Sequence, residues 1–326
     1  MLITRTPLRI SLGGGGTDLP SYYREHGGVV VSAAIDKYIF IAINRTFTDD
    51  YFIKYSELER ARTVAEIRHP LVREALALHD VGPGIELVSL ADIPSGTGLG
   101  SSGAFTVGLL RALYALKREH VSANVLAEQA CEIEIDRLGR SVGKQDQYIA
   151  AFGGITCFEF CRDGRVQVAP LMISQETLLD LEEHMLLFFT GYARDADVML
   201  ADQRTRTEAG ERAMLDNLAG IADIGRRIKA ALELGDTLGF AALMHEHWQL
   251  KRRRSDGMSG ADTDRWYDLA LANGALGGKL VGAGAGGFLL FYSPEPARLR
   301  DALTRERLAE VRFHFDFDGS TTITRG

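Results

Sequence analysis

The run Pro94–Phe105 (PSGTGLGSSGAF) constrains this chain more than any other stretch. Small residues and two serines lead straight into a segment whose apolar positions Phe105, Leu109, Leu113 and Leu116 recur at helical spacing. Glycines let main-chain N–H groups come close to an anion. A helix start adds unpaired N–H donors and the positive end of a dipole. Pro94, Ser95, Gly96, Thr97, Gly98, Leu99, Gly100, Ser101, Ser102 and Gly103 are therefore predicted to cradle a phosphate. A plain helix cap after a flexible turn is the simpler reading, but it needs fewer small residues than stand here. Gly98, Gly100 and Gly103 also satisfy G-x-G-x-x-G, a dinucleotide-binding pattern. Its context fails: Lys117–Asn124 is polar and then helical where a βαβ unit needs its next strand. No lysine follows the glycines, so the Walker A pattern fails too.

Without a P-loop lysine, a nucleotide triphosphate needs another counter-charge, and magnesium with oxygen ligands is the obvious one. Ser101 and Ser102 supply hydroxyls. Glu134 lies on a helix predicted from the Ser122 cap to about Leu138, where Ala127, Ala130, Cys131 and Leu138 share its face. A carboxylate in an apolar stripe is rarely buried unless paired or bound to metal. Glu134 is the metal-ligand candidate; the alternative is a partly exposed glutamate beside Arg137. Asp146, in Gly143–Gln147 (GKQDQ), reads either as a helix cap or as a base that takes a hydroxyl proton in phosphoryl transfer. Lys144 or another nearby cation would help keep it ionised.

Pro7–Asp18 (PLRISLGGGGTD) ends a strand-like run with four glycines, more than a hairpin needs. Asp18 can accept hydrogen bonds from sugar hydroxyls, and Arg9 can stabilise developing negative charge. A third stretch, Gly282–Gly287 (GAGAGG), can pack against the first loop and line the cleft. His245 and His247 lack the i, i+4 spacing of a zinc site and read as structural. Lys251–Arg254 (KRRR) reads first as a solvated helix end; the sharper alternative is a substrate-phosphate contact.

The first third is strand-rich, with runs at Leu2–Leu12, Val29–Ala33, Tyr38–Ile43, Tyr51–Tyr55 and Ile85–Leu90. Further strands are predicted at Gly154–Phe160, His184–Thr190, Gly287–Tyr292 and Val311–Phe317. Helices are predicted over Met214–Leu234, Phe240–Lys251, Thr263–Asn273 and Arg298–Leu308. Strands and helices do not alternate strictly, so the class is α+β. With 326 residues, two domains are expected, 1–175 and 176–326. A net charge of -7 argues against a nucleic-acid partner. Cys131, Cys157 and Cys161 give neither a disulfide framework nor a zinc set, which points to a reducing cytoplasm. No apolar run is long enough to span a bilayer, so no membrane is expected.

The three glycine clusters, in this order, resemble the GHMP small-molecule kinases over essentially the whole chain. The stretch Pro94–Ala104 is the most specific part of the likeness. The resemblance implies a two-domain α+β fold, with an N-terminal domain like ribosomal protein S5 domain 2 and a ferredoxin-like C-terminal domain. Its cofactors would be ATP and Mg2+, and its active site would lie between the domains. Within the family, Pro7–Pro20, Ala34–Tyr38 (AIDKY), Gly143–Tyr148 (GKQDQY) and Ala275–Phe291 look like the D-glycero-D-manno-heptose 7-phosphate kinases. Those enzymes phosphorylate the anomeric oxygen on the route to nucleotide-activated heptose for surface polysaccharide.

On that resemblance Asp146 is the catalytic aspartate and Arg9 the basic residue of the first motif. Ser102 and Glu134 are the metal ligands, with Ser101 a lesser match. Gly15, Gly16, Thr17, Asp18, Gly284, Lys251 and Arg252 are candidates for binding the substrate. The expected partners are a small-molecule sugar phosphate and ATP, and a homodimer is compatible with the reading. The spacing from Glu134 to Asp146 is a residue longer than in mevalonate kinase. Four consecutive glycines where galactokinase has Ile-Gly-Glu-His argue against galactose. Rival readings are another sugar 1-kinase, such as one acting on fucose, a silent sugar sensor on a kinase fold and, more distantly, a dinucleotide oxidoreductase.

Overall fold

Two long runs of β-branched and aromatic residues form the centre of the fold. The computed structural model describes residues 1–191, 196–255, 258–284 and 286–325. Leu2–Gly13 (β1) is followed by a short helix, Pro20–His26 (α1), and by Gly28–Arg45 (β2). β1 and β2 pair antiparallel over almost their whole length. The two strands expected at Val29–Ala33 and Tyr38–Ile43 are one strand of 18 residues. The polar step at Asp36 and Lys37 marks a change of neighbour rather than a turn. Gly28–Ala33 pairs with Ile155–Phe160, and Ile39–Arg45 pairs with Ile85–Ala91.

After β2 come Tyr51–Lys54 (β3), Leu58–Ala61 (β4), Pro70–Leu78 (α2) and Ile85–Ala91 (β5). Ser101–Leu116 (α3), Ala123–Cys131 (α4), Gln145–Phe152 (α5), Ile155–Phe160 (β6) and Val166–Pro170 (β7) complete the first half. The second half runs through Gln175–His184 (α6), Met185–Phe189 (β8), Ala196–Glu208 (α7), Arg212–Glu233 (α8) and Thr237–Arg252 (α9). It continues with Ala261–Ala272 (α10), Gly277–Leu280 (β9), Phe288–Tyr292 (β10), Pro296–Arg305 (α11), Ala309–Glu310 (β11) and Thr321–Arg325 (β12).

The larger sheet has the order β12-β1-β2-β5-β3-β4, with β6 joined to β2 and β7 joined to β6. Among the described residues only the β3–β5 pair is parallel. The smaller sheet is β11-β8-β10-β9, antiparallel throughout. The architecture is α+β, as the mixed pattern of runs predicted. α3 packs on β1 and β2 and is buried nearly all round, from Gly103 to Leu113, as a helix under a second layer must be. α8 lies against β1, β2 and α9, and α9 lies against β9. One buried apolar cluster joins residues of both sheets, from Leu8 and Val31 to Leu187 and Leu290. Among the described residues no helix is long and apolar enough to cross a membrane.

Two expectations about elements change. The helix capped by Ser122, whose hydroxyl accepts from Val125 N at 3.3 Å, is α-helical only to Cys131. It continues as a π-helical turn over Glu132–Arg137, a wider winding often met at functional sites. The strand expected at Val311–Phe317 does not form. Its alternating aromatics Phe313 and Phe315 are buried, which imitates a strand pattern. Its backbone bonds instead to several different partners: Val311 to Leu187, His314 to Asp36, and Asp316 to Ala34 and Gly154. No ladder can build from such scattered pairing.

The candidate active site

All three glycine-rich segments converge on one cleft of about 750 Å3. Its walls come from the end of β1, the turn before α3, the start of α5, the last turn of α9 and the turn after β9. The turns carrying Gly98 and Gly282 touch backbone to backbone. A Cβ built on Gly98 would lie 2.7 Å from Val281 O, and one on Gly282 would lie 2.5 Å from Gly98 Cα. Both residues also have positive φ, so no other residue fits this contact. Ser95, Gly96, Gly98, Gly100, Ser101 and Ser102 line the cleft, whereas Thr97, Leu99 and Gly103 are buried behind the loop and Pro94 is exposed at its edge. The first N–H groups of α3 begin at Ser101 and have no partner within the helix.

Asp146 stands in the first turn of α5, and Arg9 reaches it from β1. Arg9 Nε and Nη2 both lie 2.7 Å from Asp146 Oδ1, and Arg9 Nη1 donates to Gly98 O. Asp146 Oδ2 has no hydrogen-bond partner among the described residues and lies beside Gly100. Arg9 is thus the cation that holds Asp146. Lys144 is not: its ammonium pairs with Glu128 at 3.0 Å and with Gly164 O at 3.1 Å.

Glu134 is 1 % exposed, so the partly exposed alternative fails. Arg137 pairs with Glu132 instead. Glu134 Oε1 accepts from Ser102 Oγ, and Oε2 accepts from Gln147 Nε2 at 2.7 Å. Arg140 Nη1 sits 2.8 Å from Ser102 Oγ and 3.3 Å from Glu134 Oε1. Burial pushes the Glu134 carboxyl up, while Ser102, Gln147 and Arg140 pull the other way. Ser101 Oγ is buried without a hydrogen-bond partner among the described residues. Hard oxygens of one hydroxyl and one buried carboxylate, beside a phosphate loop, fit magnesium, which usually takes one or two carboxylates plus substrate phosphates. Arg140 shares those two oxygens, so this is already a place that holds a cation.

Asp18 lines the cleft but is engaged by the backbone. Its carboxylate accepts from Gly16 N at 2.9 Å and Gln145 N at 3.1 Å. Burial, first of all, pushes its pKa up; the Gln145 N–H pulls it down, and the Asp146 charge raises it further. Gly15, Gly16 and Gly284 also line the cleft. Thr17 does not: its hydroxyl turns inward to Gly14 O at 2.8 Å and Val29 O at 3.0 Å.

The basic run at the end of α9 is mostly not solvated. Lys251 and Arg254 are buried and face the cleft, together with His247 and Lys279. Arg252 is outside it, paired with Asp264 at 3.2 Å, and only Arg253 is fully exposed. The helical period explains this, since positions 247, 251 and 254 fall on one face. His247, read from sequence as structural, therefore shares the cleft face.

The far end of the cleft is apolar and aromatic, lined by Tyr55, His69, Leu71, Leu90, Ile93, Phe105 and Val142. The His69 ring meets Tyr55 edge-on at 4.6 Å and lies tilted against Phe105 at 5.0 Å, and burial keeps its pKa low. Sequence reading missed this wall, and it missed Arg140, Gln147 and Lys279; it named Arg254 only within the run Lys251–Arg254, as the alternative to a solvated helix end. For Lys279 the signal available was a lone lysine among the apolar and small residues of Gly277–Val281.

The family model described as the GHMP kinases N terminal domain matches residues 56–154, and the GHMP kinases C terminal model matches residues 228–310. The chain is 31% identical to D-glycero-alpha-D-manno-heptose 7-phosphate kinase of Campylobacter jejuni, over 97% of each chain. It is 25% identical to the bifunctional fucokinase/GDP-fucose pyrophosphorylase of Arabidopsis thaliana, over 96% of this chain and 31% of that protein. The crystal structure of a D-glycero-D-manno-heptose 1-phosphate kinase from Bacteroides thetaiotaomicron superposes with a TM-score of 0.81, 25% identity and full coverage of both chains. Lactococcus lactis galactokinase, at 17% identity and TM-score 0.80, shares the fold over 98% of this chain and 94% of its own. Kinases of this family use ATP, usually with magnesium. Two family models and a relative matched end to end agree with the three converging glycine turns: this chain belongs to the GHMP kinases.

Proposed function

We propose that this chain is an ATP-dependent sugar kinase that phosphorylates the anomeric hydroxyl of D-glycero-D-manno-heptose 7-phosphate, giving the 1,7-bisphosphate and ADP. The observation that carries it is the Arg9–Asp146 pair at 2.7 Å, set against Gly100 of the phosphate loop on one side and beside Asp18 on the other. The names of the relatives narrow the acceptor to a sugar.

In this reading the N–H groups at the start of α3 hold the triphosphate, and the aromatic end of the cleft takes the base. Asp146 Oδ2, without a hydrogen-bond partner among the described residues, accepts the proton of the C1 hydroxyl. The C1 oxygen bonds to the γ-phosphorus as the bond from that phosphorus to the β-γ bridging oxygen breaks. The electron pair and charge leave with ADP. Arg9 stays on Asp146 Oδ1, which fixes the carboxylate and aims its other oxygen. Asp18 positions the sugar and shapes the glycine turn. Ser102 and Glu134 would hold the magnesium, which supplies neutralising charge on the phosphates. Residues 1–175 would form the nucleotide-binding part and 176–326 the C-terminal part, with β12 crossing back to the first sheet.

A panel of free sugars and sugar phosphates, read by ADP release, tests the assignment. Heptose 7-phosphate is expected to give the highest kcat/KM. A clear preference for fucose would transfer the reading to that sugar, and binding without ADP release across the panel would make the chain a sensor. Glu134→Ala is expected to raise the magnesium concentration needed for half-maximal rate about tenfold or more, as loss of a charged ligand should. An unchanged magnesium titration removes Glu134 from the ligands.

A further inference from the structure

We propose that Lys279, Lys251, Arg254 and His247 form a subsite for the phosphate that the acceptor sugar already carries. The inference rests on the sugar-phosphate reading above. Four buried cations line the cleft: Arg9, Lys251, Arg254 and Lys279. Two carboxylates that line it are buried or half-buried, Asp18 and Asp146. Arg9 is taken by Asp146. Asp18 already accepts two backbone N–H groups. Among the described residues the other three cations hydrogen-bond only to neutral acceptors. Lys251 Nζ reaches Leu280 O at 2.8 Å and Gly282 O. Lys279 Nζ reaches Leu12 O at 3.5 Å. Arg254 reaches Gln203 Oε1 at 2.8 Å, Asn217 Oδ1 at 3.3 Å and Gly15 O at 3.4 Å.

An unpaired buried charge is costly. Three such basic groups in one place, of which only Arg254 has a nearby carboxylate charge, that of Asp18, make sense in a chain with net charge -7 when an anion completes them. Burial, then Arg9 and Arg254, pushes Lys279 down to about 7, which is the strain an arriving anion would relieve. His247 adds a second observation. It is 1 % exposed, and neither ring nitrogen has a hydrogen-bond partner among the described residues. Its N–H is a donor in want of an acceptor.

Placement favours the acceptor over the nucleotide. A Cβ on Gly16 would fall 2.5 Å from Arg254 Nη1, so Arg254 lies directly against the first glycine turn. Lys279 reaches Leu12 at the base of the same turn. Both therefore face the side where Asp18 stands, whereas the triphosphate has its own donors at the start of α3. The γ-phosphate is the other source of the same chemistry, since Lys251 touches Gly282, which packs on Gly98.

The test compares wild type with Lys279→Met and Arg254→Gln, using heptose 7-phosphate and the phosphate-free heptose as acceptors. Each variant is expected to lose about 30-fold of the preference, measured as the ratio of kcat/KM values, consistent with losing one charge-assisted hydrogen bond. The KM for ATP should change less than about threefold, because the triphosphate has other donors. Tm of Lys279→Met should hold or rise, because methionine removes an unpaired buried ammonium. An unchanged preference overturns the proposal, whether the ATP KM rises, which assigns the cluster to the nucleotide, or Tm drops, which makes it structural. If Lys279→Met does not fold, Arg254→Gln decides by the same ratio. If wild type phosphorylates neither sugar, the functional reading fails on its own. Calorimetric titration with inorganic phosphate then decides the subsite: binding weakened tenfold or more in the variants retains it, and equal binding or none by wild type overturns it.

Discussion

Asp146→Asn is expected to lower turnover about 10²- to 10⁴-fold, with the dissociation constant for ATP within a few-fold of wild type. Asparagine keeps the shape of the side chain, and its carbonyl can still accept from Arg9. What it lacks is a basic oxygen facing the acceptor. Asp146 Oδ1 is committed to Arg9, so the whole proton-accepting capacity rests on Oδ2. In the proposed reading the nucleotide meets different groups, the turn at Gly98–Ser102 and the start of α3, which line the cleft, and should bind almost as before. Single-turnover measurement of ADP formation, beside equilibrium nucleotide titration, separates the two quantities. Near-wild-type turnover would remove Asp146 from the chemistry and leave it as a helix-start residue.

A second large effect is expected from a single methyl group. Gly103 lies where the first turns of α3 and α5 cross. A Cβ there would sit 2.8 Å from Asp146 Cβ, 3.0 Å from Asp146 C and 3.0 Å from Gln147 N. Two of these three neighbours are backbone atoms, so no side chain can rotate away. Gly103→Ala must push α5 back and carry Asp146 and Gln147 with it. Overpacking of this kind costs about 1–3 kcal/mol of stability. A displacement near 1 Å at a reacting group can cost about 10²-fold in rate. The expected result is a folded protein with a lowered Tm and turnover down by about two orders of magnitude. Full activity in Gly103→Ala would mean that the crossing is loose and that the position of Asp146 is set elsewhere.

The parts legible in the sequence were those with local causes. The turn before α3, the apolar repeat of α3, the serine cap of α4 and the glycine ends of β1 and β9 follow from neighbouring residues. The apolar stripe around Glu134 pointed to a buried carboxylate, and it is buried. What was hidden depends on contacts between distant segments. β2 looked like two strands because its polar middle marks where β6 gives way to β5. Val311–Phe317 looked like a strand because two buried aromatics alternate, although its main chain bonds to scattered partners. The end of α9 was read by composition, as a basic and therefore wet run. Read by helical phase, it would have placed Lys251 and Arg254 with His247 and left Arg252 and Arg253 outside. Lys279 carried no periodic signal, and Arg140 gave none that would link it to Glu134.

The last strand has a consequence for how the molecule is assembled. Arg325 pairs with Leu2 and Thr321 with Arg5, so one edge of β1 stays open until residues more than three hundred positions downstream exist. During synthesis the strand that carries Arg9 must wait, with that flank bare, while everything between is made. Such distant pairing slows folding and leaves an unpaired edge exposed to other chains. A nascent chain arrested before residue 321 would hold Arg9 on a sheet whose margin is unfinished.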